Sequence, residues 1–249
     1  MKKHIDLDKM STLPDKKINK AEADIEMVKL TEQLTDIQDK LYAQNKYAVL
    51  IVLQGMDTAG KDSAVKHVFS GVNPAGCNVK SFKAPTEEES AHHFLWRISK
   101  ECPPKGMIKI FNRSHYEDVL VPMVNKLLSK KELEERCHEI NTFEKGLVKN
   151  NTIIIKFFLH ISHEEQEERL AERKNNPRKQ WKYQKGDVKD IAMHKHFKNA
   201  YEFIFENCDN AVNWHVIPAD KKWYKNYAIL QQIVKTLSLY DIDYPKIKK

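Results

Sequence analysis

The chain has 249 residues, with 42 Lys or Arg against 35 Asp or Glu and a formal net charge of +7. Hydrophobic residues make up 41% and charged residues 31%, which excludes global disorder, and seven glycines are too few for collagen-like or glycine-linker architectures. The basic excess points to an anionic partner without naming it.

The first 20 residues are polar and mixed in charge, and an extended, flexible arm is expected over 1–20. Their opening MKKHIDLDKM has no apolar stretch after its lysines, so no signal peptide is expected. From about Asn19, the residues Met27, Leu30, Leu34, Ile37 and Leu41 recur at helical spacing and predict one amphipathic helix. Tyr47–Leu53 is a continuous apolar run, as in parallel strands covered on both faces. Similar runs recur at Met107–Phe111, Ile153–Leu159 and Trp214–Ile217, with a weaker strand at Asn78–Phe82. Helices are expected between them, at Ser63–Phe69, Glu87–Ile98, Tyr116–Leu128, Lys130–Lys149, His163–Arg173, Val188–Glu206 and Lys222–Leu239. Alternation of this kind predicts a three-layer α/β fold around a parallel sheet, as a single domain over 21–249. The apolar runs are too short to cross a bilayer. The cysteines Cys77, Cys102, Cys137 and Cys208 form no C-x-x-C pair, so a reducing, cytoplasmic location without membrane association is expected.

The first strand leads into Gln54-Gly55-Met56-Asp57-Thr58-Ala59-Gly60-Lys61-Asp62-Ser63, which contains G-x-x-x-x-G-K. Glycines at Gly55 and Gly60 let backbone N–H groups approach phosphate oxygens, and the following helix directs its positive end at the anion. Lys61 supplies a mobile charge for a phosphoryl group. The position after the lysine, commonly Ser or Thr, is Asp62 here. Asp57 and Asp62 would repel phosphate unless a divalent cation lies between them, so at least one is read as a metal ligand rather than a helix cap.

The third strand ends in Asn112-Arg113-Ser114-His115-Tyr116-Glu117-Asp118, which should face the same cleft. Arg113 is suited to clamp phosphate, and Glu117 or Asp118 to serve a metal, a water or a hydroxyl-bearing ligand. Between Arg173 and Lys198 nine Lys or Arg stand against two Asp. After a P-loop such a stretch reads as a lid, about 172–187, with Arg173 and Arg178 converging on one phosphate chain. Pro177 should end the preceding helix near Lys174–Asn176.

These segments, together with Phe94-Leu95-Trp96-Arg97, Lys156–His160 and Trp214…Ile217-Pro218-Ala219-Asp220 with Lys222-Trp223, resemble the second family of polyphosphate kinases from about Ile25 to the C-terminus. The resemblance implies a P-loop kinase fold similar to thymidylate kinase. It also implies phosphoryl transfer between inorganic polyphosphate and nucleotides with Mg²⁺ or Mn²⁺, and assembly as a homodimer or homotetramer. By the same resemblance Asp57, Lys61, Asp62, Arg113, Arg173 and Arg178 carry catalysis. Gly55, Met56, Thr58, Ala59, Gly60, Ser63, Lys66, Asn112 and Glu117 bind phosphate or nucleotide, Lys66 along the polyphosphate channel. Metal falls to Asp57, Asp62 and Glu117. Glu117 also matches the subgroup that accepts nucleoside monophosphates as well as diphosphates. The remaining readings are an ATP-dependent nucleoside monophosphate kinase and a P-loop protein binding nucleic acid through its basic segment; no base-reading module is seen.

Overall fold

The computed structural model describes residues 5–209 and 211–246. Five strands, β1 (Ala48–Gly55), β2 (Cys77–Ser81), β3 (Ile108–Asn112), β4 (Thr152–His160) and β5 (Trp214–Pro218), form one parallel sheet in the order β2-β3-β1-β4-β5. Every residue of β1 and of β4 is buried, which is why both read as unbroken apolar runs. β2 lies at an edge and is half solvated, hence its weak signal. The chain leaves β1 for the edge strand β2, returns to β3 beside β1, and then crosses to β4 on the other side of β1, so the strand order reverses at β1. Ligands of open α/β sheets bind at such a point, beyond the strands' carboxyl ends.

Helices cover both faces: α1 (Lys20–Gln44), α2 (Lys61–Val68), α3 (Glu87–Ala91), α4 (Trp96–Ser99), α5 (Glu117–Val124), α6 (Lys130–Lys149), α7 (His163–Asn175), α8 (Lys185–Ala192), α9 (His194–Asn207) and α10 (Lys222–Leu237). Capping boxes start α1 (Asn19 with Glu22) and α6 (Ser129 with Glu132), and Asn45 ends α1 in the left-handed conformation at φ 51°. α1 packs along α10, and α10 also contacts α2. No helix among the described residues is long and apolar enough to cross a membrane.

The expected elements differ from the observed ones at four places. The single helix at Glu87–Ile98 is two, because His92 adopts an extended conformation (φ −103°, ψ 167°). There His92 stacks on Trp96 at 4.0 Å and His93 pairs with Glu139 at 2.7 Å, so ring contacts replace a turn of helix. The helix expected at Tyr116–Leu128 stops at Val124, and Lys126 takes φ 54°. Val188–Glu206 is α8 and α9, parted at Met193, and α8 begins three residues earlier. Finally, the described part of the N-terminal arm is docked rather than loose. Ile5 and Leu7 join the core, the Leu7 N–H donates to Glu202 Oε1 at 2.9 Å, and His160 Nε2 lies 3.1 Å from the Leu7 carbonyl. Two apolar side chains amid charges gave too little pattern to reveal this. The end of α7 is where Pro177 predicts it: Asn176 caps the helix in an extended conformation.

Candidate active site

β1 delivers the chain into the phosphate loop, and the geometry there requires both glycines. Gly55 has φ 156°, and a Cβ on it would lie 2.9 Å from the Leu159 carbonyl oxygen. Gly60 has φ 93°, and a Cβ would lie 2.6 Å from Lys225 Nζ. Thr58 is left-handed as well, at φ 64°. Met56 and Ala59 are buried beneath the loop, and the Ala59 N–H closes a turn on the Met56 carbonyl at 3.2 Å. α2 follows at once, so Lys61 begins the helix whose N-terminus faces the loop. Ser63 is half-buried in the first turn, and Lys66 is exposed one turn on.

Lys61 Nζ donates to the carbonyls of Gly55 at 2.6 Å and Met56 at 3.1 Å. Burial first, then Arg113, pushes its ammonium down to about 8 against the pull of Asp57, Glu117 and Asp62. A cation so poorly satisfied by neutral carbonyls gains when a phosphate arrives.

β3 ends beside β1, with Leu53 in register with Asn112, and the ladder continues as the Arg113 N–H donates to the Leu53 carbonyl at 3.0 Å. Arg113, at φ 62°, turns its guanidinium to Asp57 Oδ1 at 2.7 Å, with Glu117 Oε2 at 3.7 Å from its other arm. Burial pushes the Asp57 carboxyl up, but Lys61 and Arg113 outweigh it and hold it below its ordinary value. Burial also raises Glu117, and Arg113 and Lys61 only partly offset that. Asn112, whose side chain is buried, donates its amide to Asp62 Oδ1 at 2.7 Å. A carboxylate at position 112 would repel Asp62, so asparagine orients Asp62 here. The other oxygen of Asp62 faces Lys182 Nζ at 3.7 Å, which brings the lid to the loop.

Gly55, Asp57, Arg113, Glu117, Asp190 and Tyr201 line a cavity of about 150 Å³. Asp190, on α8, hydrogen-bonds Asp57; burial, then Asp57, pushes its carboxyl up to about 6. A larger cavity of about 440 Å³ lies between α3, α4 and α6 and contains no residue of the loop. Most of its charges are paired, Arg97 with Asp118 and Glu89 and His93 with Glu139, while Arg136 donates to the Asp118 carbonyl and lies over the Phe94 ring. Asp118, a second candidate of the sequence reading, therefore belongs to that cluster.

The structure thus brings Asp57, Lys61, Arg113 and Glu117 together, with Asp62 and Asn112 on the adjoining side. Among the described residues no three His, Cys, Asp or Glu side chains are gathered closely enough to hold a metal, so Asp57, Asp62 and Glu117 do not form one cluster. The donor chemistry still fits a hard divalent cation. Asp57 and Asp62 supply carboxylate oxygens on either side of Lys61, and phosphate oxygens and water would complete the shell. The two lid arginines differ in their surroundings. Arg173 Nη1 pairs with Asp187 Oδ2 at 3.0 Å, while Arg178 is exposed on the loop after α7.

Three further residues serve the loop from outside. Gln166 Nε2 donates to the Asp57 carbonyl at 2.8 Å, Arg169 Nη1 to the Thr58 carbonyl at 3.0 Å, and Lys225 Nζ to the Gly60 carbonyl at 2.7 Å. Arg169 is anchored in turn on the carbonyls of Ala219 (2.7 Å) and Asp220 (2.9 Å). Burial, then Arg169, Lys222 and Lys61, pushes Lys225 down to about 7. The signal available in the sequence was a single one: each is a polar residue on the buried stripe of an amphipathic helix.

A glycine loop between a central parallel strand and a helix, with a lysine and an arginine facing it, defines a P-loop phosphotransferase. The family model described as Polyphosphate kinase 2 (PPK2) matches residues 17–245, and the chain belongs to that family. It is 45% identical over 218 residues to the AMP/ADP-polyphosphate phosphotransferase of Meiothermus ruber, covering 87% of this chain and 82% of the relative. It is 38% identical over 228 residues to the ADP-polyphosphate phosphotransferase of Rhodopseudomonas palustris, covering 86% and 79%. The crystal structure of polyphosphate kinase 2 from Arthrobacter aurescens TC1 superposes with a TM-score of 0.95 at 38% identity, covering 98% of this chain and 89% of that one. The chain is an enzyme of the kinase class with the P-loop α/β fold that the sequence predicts.

Proposed function

We propose that the enzyme transfers the terminal phosphoryl group of inorganic polyphosphate to nucleoside diphosphates and monophosphates, reversibly, with Mg²⁺ or Mn²⁺. The observation that carries this reading is the pairing of a cationic phosphate loop with Arg113 across one small cleft. Lys61 is held there only by neutral carbonyls, and Arg113 by Asp57.

The chemistry is an in-line displacement: an acceptor phosphate oxygen forms the new P–O bond as the bond to the shortened polyphosphate breaks. No proton need be taken from an ionised phosphate, so the protein's part is positioning and charge stabilisation. Lys61 exchanges the Gly55 and Met56 carbonyls for phosphate oxygens. Arg113 neutralises the moving group, and Asp57 keeps its guanidinium directed. Arg173 and Arg178 close from the lid. A divalent cation held by Asp57 and Asp62 would supply further neutralisation of the phosphate oxygens. Glu117, beside Arg113 in the cleft, supports acceptance of monophosphates, as does the pairing of AMP with ADP in the name of the Meiothermus ruber relative.

The test is a donor–acceptor matrix of polyphosphate or ATP against AMP, ADP, GMP and GDP. Formation of ATP from ADP with polyphosphate as sole donor is expected. Transfer to AMP from ATP but never from polyphosphate would establish an ordinary nucleotide kinase instead.

A further inference from the structure

The backbone carbonyls of the phosphate loop are held from two sides. Lys61 takes Gly55 and Met56 from within the site. From outside, Gln166 takes Asp57, Arg169 takes Thr58 and Lys225 takes Gly60. The last of these is unusual. Lys225 comes from α10, 165 residues along the chain, is fully buried, and delivers its ammonium to the one loop carbonyl that adjoins the helix start. The Gly60 carbonyl also accepts the first helical bond from the Ala64 N–H at 2.9 Å. Burying an ammonium against a carbonyl is costly, and burial already pushes Lys225 to about 7. Met or Leu would fill that space without the cost, so stability alone does not account for a lysine here.

We infer that Lys225 is a positioning residue for phosphoryl transfer, one that aims the phosphate-binding N–H of Lys61 by fixing the Gly60 carbonyl. The two groups belong to one planar trans peptide, so they point in opposite directions and turn together. With the Gly60 carbonyl held toward α10, the Lys61 N–H faces the anion site. Gly60 at φ 93° has no side chain to resist rotation of that peptide, and Lys225 Nζ occupies the space a Cβ would fill. The external brace therefore replaces the rigidity that glycine gives up. Lys225 itself touches no phosphate and acts only through the loop.

The inference rests on the loop holding the polyphosphate donor, and the test separates the two. Tripolyphosphate binding is measured by calorimetry, with kcat, the KM for polyphosphate and the KM for ADP, in the wild type and in Lys225→Met and Lys225→Gln. Glutamine is one bond shorter and uncharged, falls short of the carbonyl, and tolerates a neighbouring water; it carries the test if the methionine variant does not fold. In a variant with a wild-type melting point, kcat/KM for polyphosphate should fall about 10- to 100-fold, as for loss of a charged hydrogen bond or a small misplacement of a binding group. Tripolyphosphate affinity should fall with it, while the KM for ADP moves less than about twofold. Equal losses toward both substrates, or none, in a folded variant would overturn the positioning role. A wild-type enzyme that neither binds tripolyphosphate nor uses polyphosphate would overturn the functional reading, and this inference with it.

Discussion

Lys156 interrupts the apolar run of β4, and its removal should destabilise the fold by an amount the geometry sets. Lys156 on β4 and Glu144 on α6 are both fully buried. Lys156 Nζ uses all three of its donors, on Glu144 Oε2 at 3.0 Å, Tyr116 Oη at 2.9 Å and the Cys208 carbonyl at 2.9 Å. Glu144 Oε1 accepts from Tyr116 Oη at 2.5 Å and is 3.2 Å from His115 Nε2. Lys156→Met leaves the carboxylate buried without its cation, which costs about 3–5 kcal/mol. At about 2–4 °C per kcal/mol for a chain of this size, the melting point should fall by about 10 °C. Glu144→Leu strands the ammonium at a similar cost. The double variant buries no charge but leaves Tyr116, His115 and the Cys208 carbonyl without these partners, at about 1–3 kcal/mol each. A urea-unfolding cycle at pH 7 should therefore show a coupling of at least about 2 kcal/mol, the double variant being more stable than the sum of the singles predicts. The pH dependence has the same origin. Burial pushes the Glu144 carboxyl up, but Lys156, His115 and Tyr116 outweigh it and bring it down to about 2. A depressed carboxylate stabilises the folded state above the unfolded value of about 4.5 and loses that contribution as pH falls toward 2. The pair should supply about 3 kcal/mol in this way, visible as a steep loss of stability between pH 4.5 and 2 that the double variant lacks. Additive singles, with the same acid limb in all variants, would refute the assignment of the pair as one coupled unit.

Lys61→Ala should lower kcat/KM at least about 100-fold with the fold intact by circular dichroism, as for loss of one electrostatic stabiliser; near-normal turnover in a folded variant would remove the loop from the chemistry. EDTA should stop transfer and Mg²⁺ or Mn²⁺ restore it, and Asp62→Asn should raise the metal concentration for half-maximal rate; an unchanged metal response would leave Asp62 as a helix-terminal acid alone. Arg173→Ala and Arg178→Ala should each lower kcat, and the double variant should lose less than the product of the two. If kcat stays constant and only the KM for polyphosphate rises, most visibly at high salt, the lid steers rather than stabilises.

Much of this architecture was legible because it is local. The strands β1 and β4 are long and covered on both faces, so their apolar runs needed no tertiary information. The loop was legible because glycine spacing and a following helix specify a backbone, and a backbone shaped for phosphate admits few sequences. Where tertiary contacts override local preference, the reading failed. The helical pattern of Glu87–Ile98 runs on through His92, but stacking on Trp96 and the His93–Glu139 pair outweigh one turn of helix. The docking of Leu7 depends on Glu202 and His160, which lie some 150 to 195 residues away and left no periodic trace.

The same distinction separates the parts of the site. The residues proposed to meet substrate stand at strand ends in contiguous motifs, which are visible in the sequence. Residues that hold the motif in shape, Gln166, Arg169 and Lys225, come from α7 and α10, and each acts on a backbone carbonyl that any amino acid would supply. No residue type at the receiving end announces such a contact, so no spacing rule detects it. What the sequence does contain is a conflict: a polar or charged residue on the buried stripe of an amphipathic helix, where an apolar one would be cheaper to bury. Arg169 and Lys225 show it in α7 and α10, and Lys156 shows it in β4. In all three the buried cation is directed at carbonyls or a carboxylate of the protein itself. Lys225 and Arg169 hold carbonyls of the loop, whereas Lys156 holds Glu144, Tyr116 and the Cys208 carbonyl in the core. In α7 and α10 a buried arginine and a buried lysine thus mark the scaffold behind the loop, as the glycine spacing marks the loop itself.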